Sequence, residues 1–115
     1  MLELLEELLP NFKQEFNRRV TMQELTRLSI QLSPKTAIVI SNQWMYVIQK
    51  KWLSLKCKSF NPHEIGVVDY RDGKLIIELS NGRREILNVA DEKIGVITFG
   101  LEKINEHLAG ARRSR

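Results

Sequence analysis

Apolar residues at the start of the chain fall at helical spacing. Leu2, Leu5, Leu9, Phe12 and Phe16 recur at steps of three, four, three and four residues, one face of an α-helix. Leu4 and Leu8 widen that stripe beyond what a helix lying on a domain surface needs. Pro10 interrupts it. Proline removes one helical hydrogen bond and crowds the preceding turn, so the pattern predicts a kink or break near Leu9, with Pro10 in the first turn of a second helical piece.

From Glu24 the period changes to two. Leu28, Ile30 and Leu32 alternate with Ser29, Gln31 and Ser33, the pattern of a half-buried strand that ends in a Ser33-Pro34-Lys35-Thr36 turn. A competing reading makes Thr21-Met22-Gln23-Glu24 a capping box that opens a short helix, and the alternation favours the strand. Residues 37 to 40 form a β-branched run, Ser41-Asn42-Gln43 offers a turn into a strand from Trp44 to Ile48, and another strand is expected from Leu53 to Phe60. Asp72-Gly73 and Asn81-Gly82 are preferred pairs for two-residue turns with positive φ at both central positions. They predict a meander of residues 65–71, 74–80 and 83–88. Its register would set Tyr70 opposite Leu75, Val68 opposite Ile77 and Ile77 opposite Ile86 on one apolar face, leaving Asp69, Glu78, Glu85 and Arg83 on the other. After Asp91, a candidate N-cap, Ile94, Ile97, Leu101, Ile104 and Leu108 predict an amphipathic helix with Gly110 as its C-cap. The glycines and β-branched residues at 95–99 leave a strand there as the alternative.

The elements therefore run helix, seven strands, helix, and the chain resembles a known family at three places. Ile38-Val39-Ile40-Ser41-Asn42-Gln43-Trp44-Met45-Tyr46-Val47-Ile48 is similar to the strand, Thr-Asn-Gln/Lys-Arg turn, strand of the bacterial pleckstrin-homology-like (PH-like) domains. Lys58-Ser59-Phe60-Asn61-Pro62-His63-Glu64-Ile65 resembles their Ser-Phe-Pro-Tyr-x-x-Ile, and Gly73-Lys74-Leu75-Ile76-Ile77 to Asn88-Val89-Ala90-Asp91 resembles their Gly-Lys-Ile-Thr-Ile to Asn-Val-Asp. The resemblance covers about residues 24–108. It implies an α+β fold: a PH-like barrel or strongly bent antiparallel sheet of about seven strands, capped by the C-terminal helix; the N-terminal helix expected from the apolar spacing is an addition outside the resemblance. Trp44 stands where the family commonly carries arginine. Phosphoinositide-holding PH domains place basic residues around the first hairpin, where this chain has Lys35 alone, so the resemblance argues against such a site.

With 115 residues, 43% of them hydrophobic and 28% charged, the chain suits one domain. The expected division is an N-terminal amphipathic segment over 1–20, a PH-like domain over 21–110 and a disordered basic tail over 111–115. Charges interrupt every apolar run before it reaches membrane-spanning length. Glu3, Glu6 and Glu7 among the first leucines do not suit a secretory signal, so cytoplasmic residence is the expectation. The lone Cys57 fits a reducing compartment. The net charge of +4 owes three units to Arg112, Arg113 and Arg115, and falls to +1 without them.

Candidate chemistry is sparse. His63 and His107 are the two histidines; the first reads as a turn residue and the second as a helix-end cation. Recognised metal spacings and glycine-rich phosphate loops are absent from the sequence, so neither an enzyme nor a cofactor is expected and no small-molecule substrate suggests itself. The favoured reading is a protein-binding or self-assembly module whose interface is the N-terminal stripe Leu2, Leu5, Leu9, Phe12 and Phe16, with an ordinary helix packed on its own domain as the plain alternative. A weaker reading gives Lys50, Lys51, Lys56 and Lys58, flanked by Trp44 and Trp52, to an anionic lipid surface, or with the arginine tail to nucleic acid. The same lysines also suit protection of a sheet edge.

Overall fold

The computed structural model describes residues 4–113. Helix α1 (Pro10–Arg19) precedes β1 (Thr26–Ser33), β2 (Thr36–Ser41), β3 (Met45–Lys51) and β4 (Ser54–Phe60), which form one antiparallel sheet in that order. A short 3-10 turn at Pro62–Glu64 leads to β5 (Ile65–Arg71), β6 (Lys74–Leu79) and β7 (Arg84–Asn88), a second antiparallel sheet. A further 3-10 turn at Asp91–Lys93 leads into α2 (Ile94–Arg113). The class is α+β with seven antiparallel strands, and the sheets do not close into a barrel. The end of β7 meets β1 where the Ala90 N–H donates to the Leu32 carbonyl at 2.8 Å. Across the other seam Lys58 of β4 pairs with Glu85 of β7 at 3.2 Å.

Strand β1 starts after a single closed turn. The Thr21 N–H donates to the Glu24 carboxylate at 2.8 Å, half of a capping box, yet the chain then extends into strand. The Asp72-Gly73 turn has φ of 51° and 74°, and it aligns Tyr70 with Leu75 and Val68 with Ile77, as its chemistry requires. The second turn departs from expectation. Leu79 N–H bonds the Arg83 carbonyl at 2.8 Å, so Ser80-Asn81-Gly82 is a three-residue loop with positive φ at Gly82 alone. This moves the register by one: Ile77 faces Glu85, and Ile76 faces Ile86. Because side chains alternate, Leu87 is buried while Ile86 is 54% exposed, and Glu85 turns toward the seam to meet Lys58.

Strands β1, β2 and the first half of β3 are buried on both faces of the first sheet. One side packs Leu28, Ile30, Ile38 and Val47 against Val68, Leu75, Ile77 and Leu87 of the second sheet and against Ile97, Ile104 and Leu108 of α2. The other side, with Ala37, Val39, Tyr46 and Ile48, receives Leu8, Phe12 and Phe16. Phe16 meets the Tyr46 ring edge to face, with centroids 5.3 Å apart. This is why β2 is buried at every position and residues 37–40 within it are apolar without alternation.

Two terminal expectations need correction. Residues 4–9 are not helical: Leu5 bridges Ser29 in parallel, the Ser29 N–H donates to the Leu4 carbonyl at 2.7 Å, and the Glu6 N–H donates to the Ser29 carbonyl at 3.0 Å. Ser29 is buried, and a helix through Leu9 would strand its backbone groups on the outer edge of β1. Pro10 does begin α1, as its geometry predicts. At the other end α2 passes Gly110 and continues to Arg113. Arg112 donates to the carbonyls of Pro62 at 3.0 Å and Ile65 at 2.8 Å, and Ala111 is buried, so residues 111–113 are not a free tail. Residues 95–99 are helical, the reading favoured over the strand alternative.

Candidate interaction surface

The β3–β4 hairpin pairs Lys51 with Ser54 and turns through Trp52 and Leu53. Trp52 has φ of 57°, a conformation glycine adopts freely and a bulky side chain adopts at a cost of roughly 1 kcal/mol. Trp52 is 95% exposed and Leu53 97%, so packing within the chain does not offset that cost. The turn thus holds two large apolar side chains in water.

Cations surround this tip. Lys50 follows Ile48 on the face that α1 covers, whereas Lys51 and Lys56 follow the Val47 and Gln49 positions on the opposite face. Lys50 N–H donates to the Lys35 carbonyl at 2.8 Å, which brings the β1–β2 turn alongside. All four lysines are exposed, and none forms an ion pair among the described residues. Lys58 is different, because Glu85 already holds it. The β5–β6 turn stands at the same end, since consecutive bonds run from Val89 to Gly73 and from Ala90 to Leu32; it adds Lys74 and Asp72. Strand β4 is a sheet edge, so Lys56 and Lys58 also stand where lysine discourages edge pairing.

A second polar centre escaped the sequence reading. The Glu24 carboxylate accepts from the Ser41 hydroxyl at 2.6 Å, the Tyr46 hydroxyl at 2.7 Å and the Thr21 N–H at 2.8 Å. Burial works against its charge, but these donors outweigh burial and hold the carboxyl below its usual range. Burial first, then the bond to Glu24 and its negative charge, raise the Tyr46 phenol. Burial likewise raises the Cys57 thiol, against the opposing pull of Arg19, so the thiol keeps its proton at neutral pH. These groups line a hollow of about 270 Å³ with Arg19, Trp44 and Ser59. With its carboxylate saturated by donors and its thiol protonated, the hollow ties the chain at 21–25 to the sheet. The Thr-x-x-Glu spacing was its one sequence signal.

A hollow of about 670 Å³ lies between the extended N-terminal segment, the start of β1 and α2, with Leu4, Leu5, Leu25, Arg27, Lys103 and His107 on its walls. Of the N-terminal stripe, Leu2 lies outside the described residues, and Leu5 and Leu9 are about half exposed. Phe12 and Phe16 are buried against the chain's own sheet and present no face to a partner. His63 is exposed on the 3-10 turn, its backbone N–H held by Asn61, and His107 lies on α2. Among the described residues no group of three His, Cys, Asp or Glu side chains could hold a metal ion, and no helix is long and apolar enough to cross a membrane. No family model, curated protein or solved structure matches the chain.

Proposed function

We propose that this chain is a non-enzymatic binding module of PH-like architecture, acting in the cytoplasm and engaging an anionic partner through the hairpin end of its first sheet. The observation that carries this reading is the cluster of Lys35, Lys50, Lys51 and Lys56 around the bare Trp52-Leu53 tip. Four cations that form no ion pair among the described residues, on one end of a small domain, create a positive potential that attracts anions at low ionic strength. The order of seven strands in sheets of four and three, with α2 packed in the core between them, supports the PH-like part. Retention on an anionic matrix at low salt tests it. Retention should fall steadily with added salt and disappear when Lys50, Lys51 and Lys56 are changed to Gln; a chain that does not bind at low salt sinks the reading. The nucleic-acid version loses one of its arginines, since Arg112 is held by backbone carbonyls.

A second reading, self-assembly, keeps one observation in its favour. Leu5 and Leu25 stand exposed on the walls of one groove and offer apolar surface to another copy or another protein. Phe12 and Phe16 do not contribute unless α1 leaves its sheet. Light scattering over a concentration series decides: a mass that rises with concentration and returns to the monomer in Leu5→Glu and Leu25→Glu supports assembly, and a constant monomer mass ends it.

A further inference from the structure

We infer that the β3–β4 hairpin is an interfacial anchor that lodges Trp52 and Leu53 in the headgroup layer of a bilayer carrying anionic lipid, with Lys35, Lys50, Lys51 and Lys56 held at its surface. The inference rests on the reading above and specifies its partner.

Three observations point to a bilayer rather than another polyanion. The apolar pair sits at the convex tip of a hairpin, not in a groove, so it can enter a soft layer without the rest of the sheet following. Its composition is one amphipathic indole beside one aliphatic side chain. Tryptophan favours the headgroup region, where the ring is apolar on its faces and its N–H stays hydrated, and leucine favours the acyl boundary just below. A base-stacking site would gain nothing from Leu53 and needs further aromatic faces along a track; Trp44 is partly buried against the second core instead. The third observation is the placement of the lysines. They flank the tip on both faces of the hairpin, and a lysine stem can lie along apolar surface while its ammonium reaches lipid phosphates.

The turn's own chemistry supports a role outside the fold. The first central position has positive φ, for which glycine is the ordinary choice, and this chain places tryptophan there. Its side chain is nearly fully exposed, so changing it leaves the core packing intact.

The test uses the full chain with vesicles of phosphatidylcholine alone and of phosphatidylcholine with phosphatidylglycerol. Trp44→Phe leaves Trp52 as the only tryptophan, because the sequence has two. Its emission should shift to the blue, and be quenched by brominated acyl chains, on the anionic vesicles and not on the neutral ones. Trp52→Gly in the otherwise unaltered chain should lower co-sedimentation with anionic vesicles by about tenfold, the scale for withdrawing one large apolar side chain from an interface. It also gives a second readout if Trp44→Phe folds poorly. Salt-sensitive vesicle binding with no change in Trp52 emission overturns insertion while leaving the anionic-partner reading intact. Binding to single-stranded DNA but not to vesicles overturns the bilayer in favour of nucleic acid, and binding to neither overturns both.

Discussion

Leu4 fills the space in front of Gly100 on α2 that a Cβ would occupy. The extended N-terminal segment therefore lies against β1 on one side and reaches the helix on the other. Glu6 strengthens the attachment: its carboxylate accepts from Lys93 Nζ at 2.8 Å and from the Gln31 N–H at 3.1 Å. Gly100→Ala sets the better helix propensity of alanine, worth about 1 kcal/mol, against a contact with the end of the Leu4 side chain, which can swing toward the neighbouring hollow at small cost. The expected outcome is a net change of less than about 1 kcal/mol in urea unfolding. In a Leu4→Ala background the same change should be more stabilising than in the unaltered chain, and equal changes in both backgrounds would refute the contact.

Phe12 is fully buried between α1 and the outer face of the first sheet. Truncation to alanine should cost about 3 to 5 kcal/mol, measured by urea or thermal unfolding. A chain beginning at Val20 would expose Ala37, Val39, Tyr46 and Ile48 together, so it should aggregate rather than remain a folded monomer. If that shortened chain proves soluble and folded, α1 is not part of the domain's core.

The Glu24 and Tyr46 pair gives stability a pH dependence on both sides. Glu24 has its carboxyl held below its unfolded value of about 4.5, so its contribution is complete above that pH and is lost as pH falls through the lower folded value. Tyr46 is raised above the ordinary phenol value near 10, so its contribution is complete below that pH and is lost as pH rises through the higher folded value. Tyr46→Phe should remove about 1 kcal/mol at neutral pH and shrink the acid-side fall in stability. Denaturant titrations across the acid range check this, and curves of the same shape for both chains would count against the bond.

Trp52→Gly should raise stability by roughly 0.5 to 1 kcal/mol, because it relieves a bulky residue of positive φ while giving up almost no buried surface. Thermal unfolding reads the change directly. A lower melting temperature would mean that the indole supports the fold, which would undercut the argument that it faces outward for another purpose.

What the sequence determined by itself was local. The Asp72-Gly73 pair demands positive φ at both positions, so its turn and the pairing of Tyr70 with Leu75 follow from chemistry within four residues. The same holds for Pro10 at the start of α1 and for the alternation that makes β1 a strand. Tertiary structure decided what depends on distant partners. Leu5 and Leu9 fit a helical stripe equally well in isolation, and it is the edge of β1 at Ser29 that draws residues 4–6 into extended pairing. Asn81-Gly82 permits a two- or three-residue loop, and burial of Leu87 in the shared core accompanies the one that turns Glu85 toward Lys58. The lysines were visible as a cluster from the start, but only the folded hairpin separates Lys58, paired across the seam, from Lys50, Lys51 and Lys56 around the exposed tip. Periodicity registers a residue's neighbours within a turn or two; it carries no information about which surface, many residues away, will cover the face it defines.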